Sequence, residues 1–436
     1  MKRLLLIPAL WLLASCTVPD WMGNKDAQEQ KLTGERIAVL DYRHSLQPDP
    51  LRAQETLALP APQLNRDFLY ETSLQTIGAD QLGVRGLEEQ ESASVGEGYG
   101  WKTPVVPQPV VAGELIYAMD ARGHLSAHRL KDLGEVVWRS DAAVREDEPE
   151  MAGGGLSVKG ERLFVTTGYG DILALNAADG TLLWHKKNGI PFRAPATPGE
   201  TLVFVVSIDN KLHAYDMERG RLMWTHQGIR ETALYLGSMT PAVQNGIVVV
   251  GYASGELVAL RAEDGFVLWS DTLVIPRRTS ASANLNGIDA TPLMRDGVVY
   301  ALSNNGLMTA NRISTGRGLW DMELSGYQTP WIAQDYLIVL TSGGQLVAVN
   351  RGDKSIKWVT DLRREEEDTL PHYTAPMVIN GAVLLVNNRG EARLFDLNSG
   401  VPLQEVGVDK GVLTTPVVAQ GALYLLNNEA RLTRYE

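Results

Sequence analysis

Residues 170–186, GDILALNAADGTLLWHK, carry a short apolar run, a polar turn and a second short run, and read as strand, turn, strand. Ile172, Ala174 and Asn176 fall on one side of the chain and Leu173 and Leu175 on the other, as in a strand with two distinct faces. AADG then supplies a tight reversal and TLLWHK runs back. The stretch predicts a β-hairpin whose second strand carries a tryptophan four residues after a glycine. That spacing recurs. Trp138, Trp184, Trp224, Trp269, Trp320 and Trp358 each end a similar strand, and Gln404 stands at a seventh position. Four residues upstream of these lie Gly134, Gly180, Gly220, Gly265, Gly316, Lys354 and Gly400. Ten upstream lie Ala174, Ala214, Ala259, Ala310 and Ala348, with His128 and Leu394 as exceptions. Fourteen upstream lie Gly170, Gly255, Gly306, Gly344 and Gly390, with His124 and Asn210 as exceptions. Gly and Asn at these places suit hairpin turns that need positive φ.

The repeat has a fixed body and variable joints. Residues 241–269, 292–320, 330–358 and 376–404 are equal in length, while the segments between them differ. Each body holds four short strands, for example PAVQ, GIVVVGYA, GELVALRA and FVLWSDT. Four strands per repeat of about 40–50 residues predict the blades of a β-propeller. The unit that starts at Pro416 has room for three strands, so its fourth must come from the amino-terminal side; an open ring would leave bare strand edges. The joint lengths put that closing strand near residues 85–96. Seven full blades and one shared blade predict an all-β, eight-bladed propeller over residues 83–436.

A chain of 436 residues with 44% hydrophobic composition can bury a large core, and 42 glycines suit a turn-rich β protein. One tryptophan per repeat reads as blade-to-blade packing rather than a ligand site, because indole buries a large area and needs one hydrogen-bond partner. The formal net charge of −12 repels nucleic acid and anionic lipid, which argues against nucleic-acid binding. The pairs Lys186–Lys187, Arg277–Arg278 and Arg363–Arg364 read as solvated loop charges, with contact of one pair to an acidic partner as the alternative.

MKRLLLIPALWLLASC opens with two cations and an apolar run too short to span a bilayer, as a signal peptide does. Residues 1–15 are expected to be removed. Leu13-Ala14-Ser15-Cys16 resembles a bacterial lipobox, which implies acylation of Cys16, the single cysteine of the chain. Thr17 follows in place of the aspartate that retains lipoproteins in the inner membrane. The expected location is therefore the outer membrane of a Gram-negative bacterium, facing the periplasm. Residues 16–82 carry no repeat and several breakers, such as QPDP and LPAPQ, and read as a mostly irregular tether with a few docked patches.

The repeat, the eightfold count and the lipobox together resemble the BamB family, the propeller lipoproteins of the outer-membrane β-barrel assembly (BAM) machinery. NGIDATPLMRDGVVYALSNNG resembles the family's segment leading into the fifth blade, with Asp289 ahead of ATP. TALYLGSMTPAVQNG resembles the joint before the fourth blade, where the family carries a Leu-x-Leu-Arg run touching BamA. Ala233-Leu234-Tyr235-Leu236 occupies that place here, without the arginine, and Gly287 stands where a further acidic residue is expected. The resemblance implies a non-catalytic scaffold that binds BamA periplasmic domains and other assembly-complex subunits. Unfolded outer-membrane proteins are candidate clients. The implied contact residues are Leu234, Tyr235, Leu236, Arg277, Arg278 and Asp289, in or beside the two joints flanking the fourth blade. Apolar residues there, Ile275 among them, are costly on a surface without a partner.

Two other readings compete. Quinone (PQQ)-dependent dehydrogenases share this type of repeat, but they are typically longer and hold Ca²⁺ beside the quinone, often near a vicinal cysteine pair. This chain offers one cysteine and no compact acidic cluster with calcium-loop spacing. Its seven histidines are scattered. His124 and His128 lack the helix and glutamate of a zinc-protease motif. No enzyme activity, cofactor or metal is expected. The other reading is a propeller that binds client segments by strand addition at its edges.

Overall fold

Each repeat body folds into four antiparallel strands, and the innermost strands of neighbouring blades pack against one another around a central axis. The computed structural model describes residues 46–76, 78–98, 107–145, 153–230, 240–274, 287–304, 306–364 and 369–436. Blade 1 consists of Val110–Ala112, Leu115–Met119, Leu125–Arg129 and Asp132–Ser140. Blade 2 consists of Gly154–Lys159, Arg162–Thr167, Asp171–Asn176 and Leu182–Lys187, and blade 3 of Thr197–Pro198, Leu202–Ser207, Lys211–Asp216 and Leu222–Gln227. Blade 4 is built from Ala242–Gln244, Ile247–Gly251, Glu256–Arg261 and Val267–Thr272, and blade 5 from Leu293–Arg295, Val298–Leu302, Leu307–Arg312 and Gly318–Glu323. Blade 6 holds Trp331–Ala333, Tyr336–Leu340, Gln345–Asn350 and Ile356–Asp361; blade 7 holds Met377–Ile379, Ala382–Val386, Glu391–Asp396 and Pro402–Gly407. Blade 8 takes Val417–Ala419, Ala422–Leu426 and Arg431–Tyr435 from one part of the chain and Glu89–Ser94 from another. The closing strand thus lies inside the expected 85–96 window and pairs Glu91 with Arg434 and Ala93 with Leu432.

Burial follows the strand order. Second and third strands are buried almost throughout, with Leu163, Val165, Leu173, Val249 and Ile338 at 0% exposure, whereas the fourth strands are largely exposed on the rim. The recurrent alanine sits directly opposite the tryptophan: Ala174 with Trp184, Ala214 with Trp224, Ala259 with Trp269, Ala310 with Trp320 and Ala348 with Trp358. Blade 1 obeys the same rule one residue earlier than the spacing suggests. Ala127, not His128, pairs with Trp138, and Gly123 (φ +90°), not His124, makes the turn. The extra residue is absorbed as an irregularity in the outer ladder.

The tryptophan–glycine spacing has a physical cause that a single hairpin does not reveal. Each indole reaches out of its own blade into the outer hairpin of the next. Trp138 donates its ring N–H to the Ala177 carbonyl at 2.9 Å, Trp184 to Met217 at 3.0 Å and Trp224 to Ala262 at 3.1 Å. Trp269 donates to Ile313 at 2.6 Å, Trp320 to Arg351 at 2.8 Å and Trp358 to Leu397 at 2.8 Å. Gly180, Gly220, Gly265, Gly316 and Gly400 of the receiving hairpins lie under the rings, while Lys354, at φ 60°, stands at that position in the hairpin that receives Trp320. A Cβ on Gly220 would stand 2.5 Å from the Trp184 ring, and its φ of +64° also favours glycine. Glycine is therefore selected twice, by the turn and by the neighbouring indole.

Residues 46–88 continue the same compact unit rather than standing apart from it. They form an irregular strap that laces across the ring on the face of the first-to-second-strand turns. Asp49 N–H bonds Ile356 in blade 6, and Leu57 N–H bonds the Asn398 side chain in blade 7. Gln420 N–H of blade 8 bonds Asn65, Phe68 exchanges two backbone bonds with Val111 of blade 1, and Val158 N–H of blade 2 bonds Leu69. The strap returns past Arg295 of blade 5, which pairs with Asp80 at 2.7 Å, and past Trp331 of blade 6, whose indole N–H bonds the Asp80 carbonyl. It then meets Val378 and Asn380 of blade 7 through Leu82 and enters the closing strand. Among the described residues no helix is long and apolar enough to cross a membrane.

Replacing Trp184 by alanine should lower unfolding free energy by about 3–5 kcal/mol, the usual cost of deleting a buried large aromatic. Gly220→Ala should also destabilise, although it adds only a methyl group. Urea denaturation of both variants tests this; wild-type midpoints for either would show that the indole is not seated on the next blade.

Candidate partner-binding face

Antiparallel order places two sets of connections at one end of the ring: the turns between second and third strands, and the joints that lead from one blade's outer strand to the next blade's inner strand. The joint after blade 3 leaves Leu222–Gln227 and the joint after blade 4 leaves Val267–Thr272. Their roots are tied together. Asn210, at φ 58° in the blade 3 turn, donates its side-chain amide to the Ile229 carbonyl at 2.6 Å and accepts Ala253 N–H of blade 4 at 3.2 Å. Ile229 N–H bonds Glu256 at 2.6 Å, while the Ile229 side chain is 60% exposed. Tyr252, fully buried in the blade 4 turn, lies 2.8 Å from a ring nitrogen of His226 through its hydroxyl and accepts Ile288 N–H on its carbonyl at 3.1 Å. Burial pushes the Tyr252 phenol up and the His226 imidazole down, so both are neutral partners at physiological pH. The described roots of the two joints are thus tied into one hydrogen-bonded base.

Asp289 lies at the inner end of the second joint, 4% exposed. Its carboxylate accepts the Asn304 side-chain amide. Burial raises its pKa, against the opposing effects of the Asn304 hydrogen bond and the Arg193 charge. Asn304 N–H in turn bonds the Gly287 carbonyl at 2.9 Å. Asp289 therefore anchors the joint internally rather than offering a free carboxylate on the surface. Leu234, Tyr235, Leu236, Arg277 and Arg278 lie outside the described residues, as do Ile275 and Cys16. Among the described residues no three His, Cys, Asp or Glu side chains gather as a metal site.

Near the axis, Glu71 of the strap projects between blades. Its carboxylate accepts the Thr291 hydroxyl at 3.0 Å and the Thr329 hydroxyl at 2.7 Å. Thr72, Ser73, Leu74 and Gln75 beside it are buried, and Ile332 N–H of blade 6 bonds the Gln75 side chain at 2.9 Å. This part of the strap was not foreseen from the sequence. The signal present was a threonine directly before the proline that opens a blade, at Thr240, Thr291 and Thr329. The hydroxyls of Thr291 and Thr329, from adjacent blades, together hold one carboxyl group.

Desolvation raises the Glu71 pKa, and the threonine hydroxyls oppose it. A carboxyl held above its unfolded value, about 4.3, gives stability that is complete at lower pH and is lost as pH rises through the folded value. Wild-type stability relative to Glu71→Gln should accordingly fall as pH increases from about 4, in paired denaturation curves. A constant difference across that range would contradict the placement of Glu71.

A family model described as outer membrane protein assembly factor BamB matches residues 131–360. The BamB assembly factor of Yersinia pestis is 27% identical over 345 residues, covering 77% of this chain and 85% of that protein. The BamB of Escherichia coli (strain K12) is 26% identical over 344 residues, with the same two coverages, 77% and 85%. The crystal structure of BamB from Moraxella catarrhalis shares the fold with a TM-score of 0.69 and 21% identity, over 80% of this chain and 99% of that one. The quinohemoprotein alcohol dehydrogenase of Comamonas testosteroni shares it with a TM-score of 0.63 and 14% identity, over 83% of this chain and 76% of that one.

Proposed function

The chain belongs to the family of the outer membrane protein assembly factor BamB, and we propose that it acts in outer-membrane protein assembly as a non-catalytic scaffold. In this reading acylated Cys16 anchors it to the outer membrane, facing the periplasm. The joints flanking blade 4 bind periplasmic domains of BamA, and unfolded outer-membrane proteins pass nearby as clients. The observation that carries the reading is the family match, whose span includes both joints.

The geometry supports it in two ways. The described roots of the two joints share one base on one face, so apolar residues in both can act as a single patch. The opposite face and the region near the axis are engaged by the chain's own strap. In a propeller enzyme, a ligand at the axis would meet Glu71 and its partners Thr291 and Thr329 instead of open space. The likeness to a dehydrogenase rests on fold alone. Tyr235 serves as the main anchor, since it offers area and a hydroxyl together, with Leu234 and Leu236 beside it and Arg277 and Arg278 on the neighbouring joint. Asp289 acts as a positioning residue that fixes the joint's inner end. Anchors of this kind carry most interface energy.

A binding titration against the isolated periplasmic domains of BamA tests the proposal. Tyr235→Ala should weaken binding by a factor of ten or more, as expected for an anchor worth roughly 2 kcal/mol. Asp289→Ala should weaken it while leaving thermal unfolding cooperative. Added salt should slow association, given the acidic body. Wild-type affinity in a folded Tyr235→Ala/Asp289→Ala protein would move the interface elsewhere. Separately, Cys16→Ala should abolish acylation; if that variant still carries lipid and sediments with outer membranes, the anchor is wrong.

A further inference from the structure

Eight blades make eight junctions, and six of them carry the tryptophan lock. The junction from blade 8 to blade 1 uses a polar substitute. Glu91 stands at the tryptophan position, opposite Arg434. It accepts Gly134 N–H at 3.4 Å, and Arg434 donates to the Leu130 carbonyl at 3.3 Å, where other hairpins receive an indole. The junction from blade 7 to blade 8 has neither arrangement. Gln404 replaces tryptophan, and no hairpin joins Arg431–Tyr435 to Glu89–Ser94, because those strands come from distant parts of the chain. A groove of about 1000 Å³ lies there, lined by Leu394, Leu403, Gln404, Leu87 and Glu436.

The strap crosses at this seam. The Asn380 side chain, at φ 45°, accepts Val84 N–H at 3.3 Å and donates to the Val84 carbonyl at 2.5 Å. Gly381 N–H bonds the Gln81 side chain at 2.7 Å. One residue further on, Arg85 N–H bonds the Gly421 carbonyl of blade 8 at 2.9 Å. Leu82 and Val84 are buried in a single apolar cluster that runs through blades 6, 7, 8 and 1, whereas the remaining core divides into smaller clusters shared by neighbouring blades. We propose that the strap is the lock of the blade 7–8 seam, a conformational device that replaces the missing tryptophan and makes ring closure depend on residues 81–85 staying docked. Blades 1 to 7 hold each other through indoles; blade 8 is held to blade 1 by Glu91 and Arg434 and to blade 7 by the strap.

Native-state hydrogen exchange tests this on the full chain. In Gln81→Ala/Asn380→Gly, which deletes the strap's side-chain hold and leaves a glycine at positive φ, amides of residues 403–407, Arg431–Tyr435 and Glu89–Ser94 should exchange at least about tenfold faster, as loss of two or more hydrogen bonds implies. Blades 2 to 4 should be unchanged. Unaltered seam exchange, or an equal rise in every blade, overturns the proposal. If that double variant does not fold, the wild-type protein at rising sub-denaturing urea gives the same answer. Seam strands should then open before the others, and simultaneous opening of all blades overturns it.

Discussion

The structure depends on one recurring contact, an indole from one blade seated on the glycine turn of the next. A four-stranded blade cannot bury both of its faces alone, so its stability comes from its neighbours. The indole joins two requirements at one point. Its area covers the gap between blades, and its N–H satisfies a hairpin carbonyl, so burial leaves no polar group without a partner. Trp184 on Met217 and Gly220 shows both halves.

Closing a ring with strands from two parts of the chain removes one receiving hairpin, and the rest of the architecture answers that loss. Blade 8 gains its outer strand from Glu89–Ser94, Glu91 and Arg434 take over on one side, and the strap takes over on the other. The strap holds one face of the ring and sends Glu71 towards the axis. The joints are left to the other face. Division of labour between faces suits a scaffold: one end is tied down internally, and the other presents loops on a base fixed by Asn210, Tyr252 and Asp289.

The repeat was legible in the sequence because strand alternation, turn glycines and indole packing all constrain the same positions. The eightfold count and the closing strand followed from that register. Blade 1 was misaligned by one residue at His128 and His124, since an irregularity in a ladder shifts numbering without changing composition. The strap was not legible. Residues such as Asn65, Gln81 and Asp80 are held by hydrogen bonds to distant backbone, which leave no periodicity behind. Asp289 was readable as part of a joint, but not as a buried anchor, because its partner Asn304 belongs to the next turn of the ring.

In the proposed function the face carrying the joints meets the assembly machinery. Site-specific photocrosslinking in cells tests it most directly, with the probe placed at Ile229, exposed at the root of the first joint, and at Glu161, exposed in a first-to-second-strand turn of blade 2 on the opposite face. The account predicts a crosslink to BamA from position 229 and none from position 161. Crosslinking to BamA from position 161 alone would contradict it.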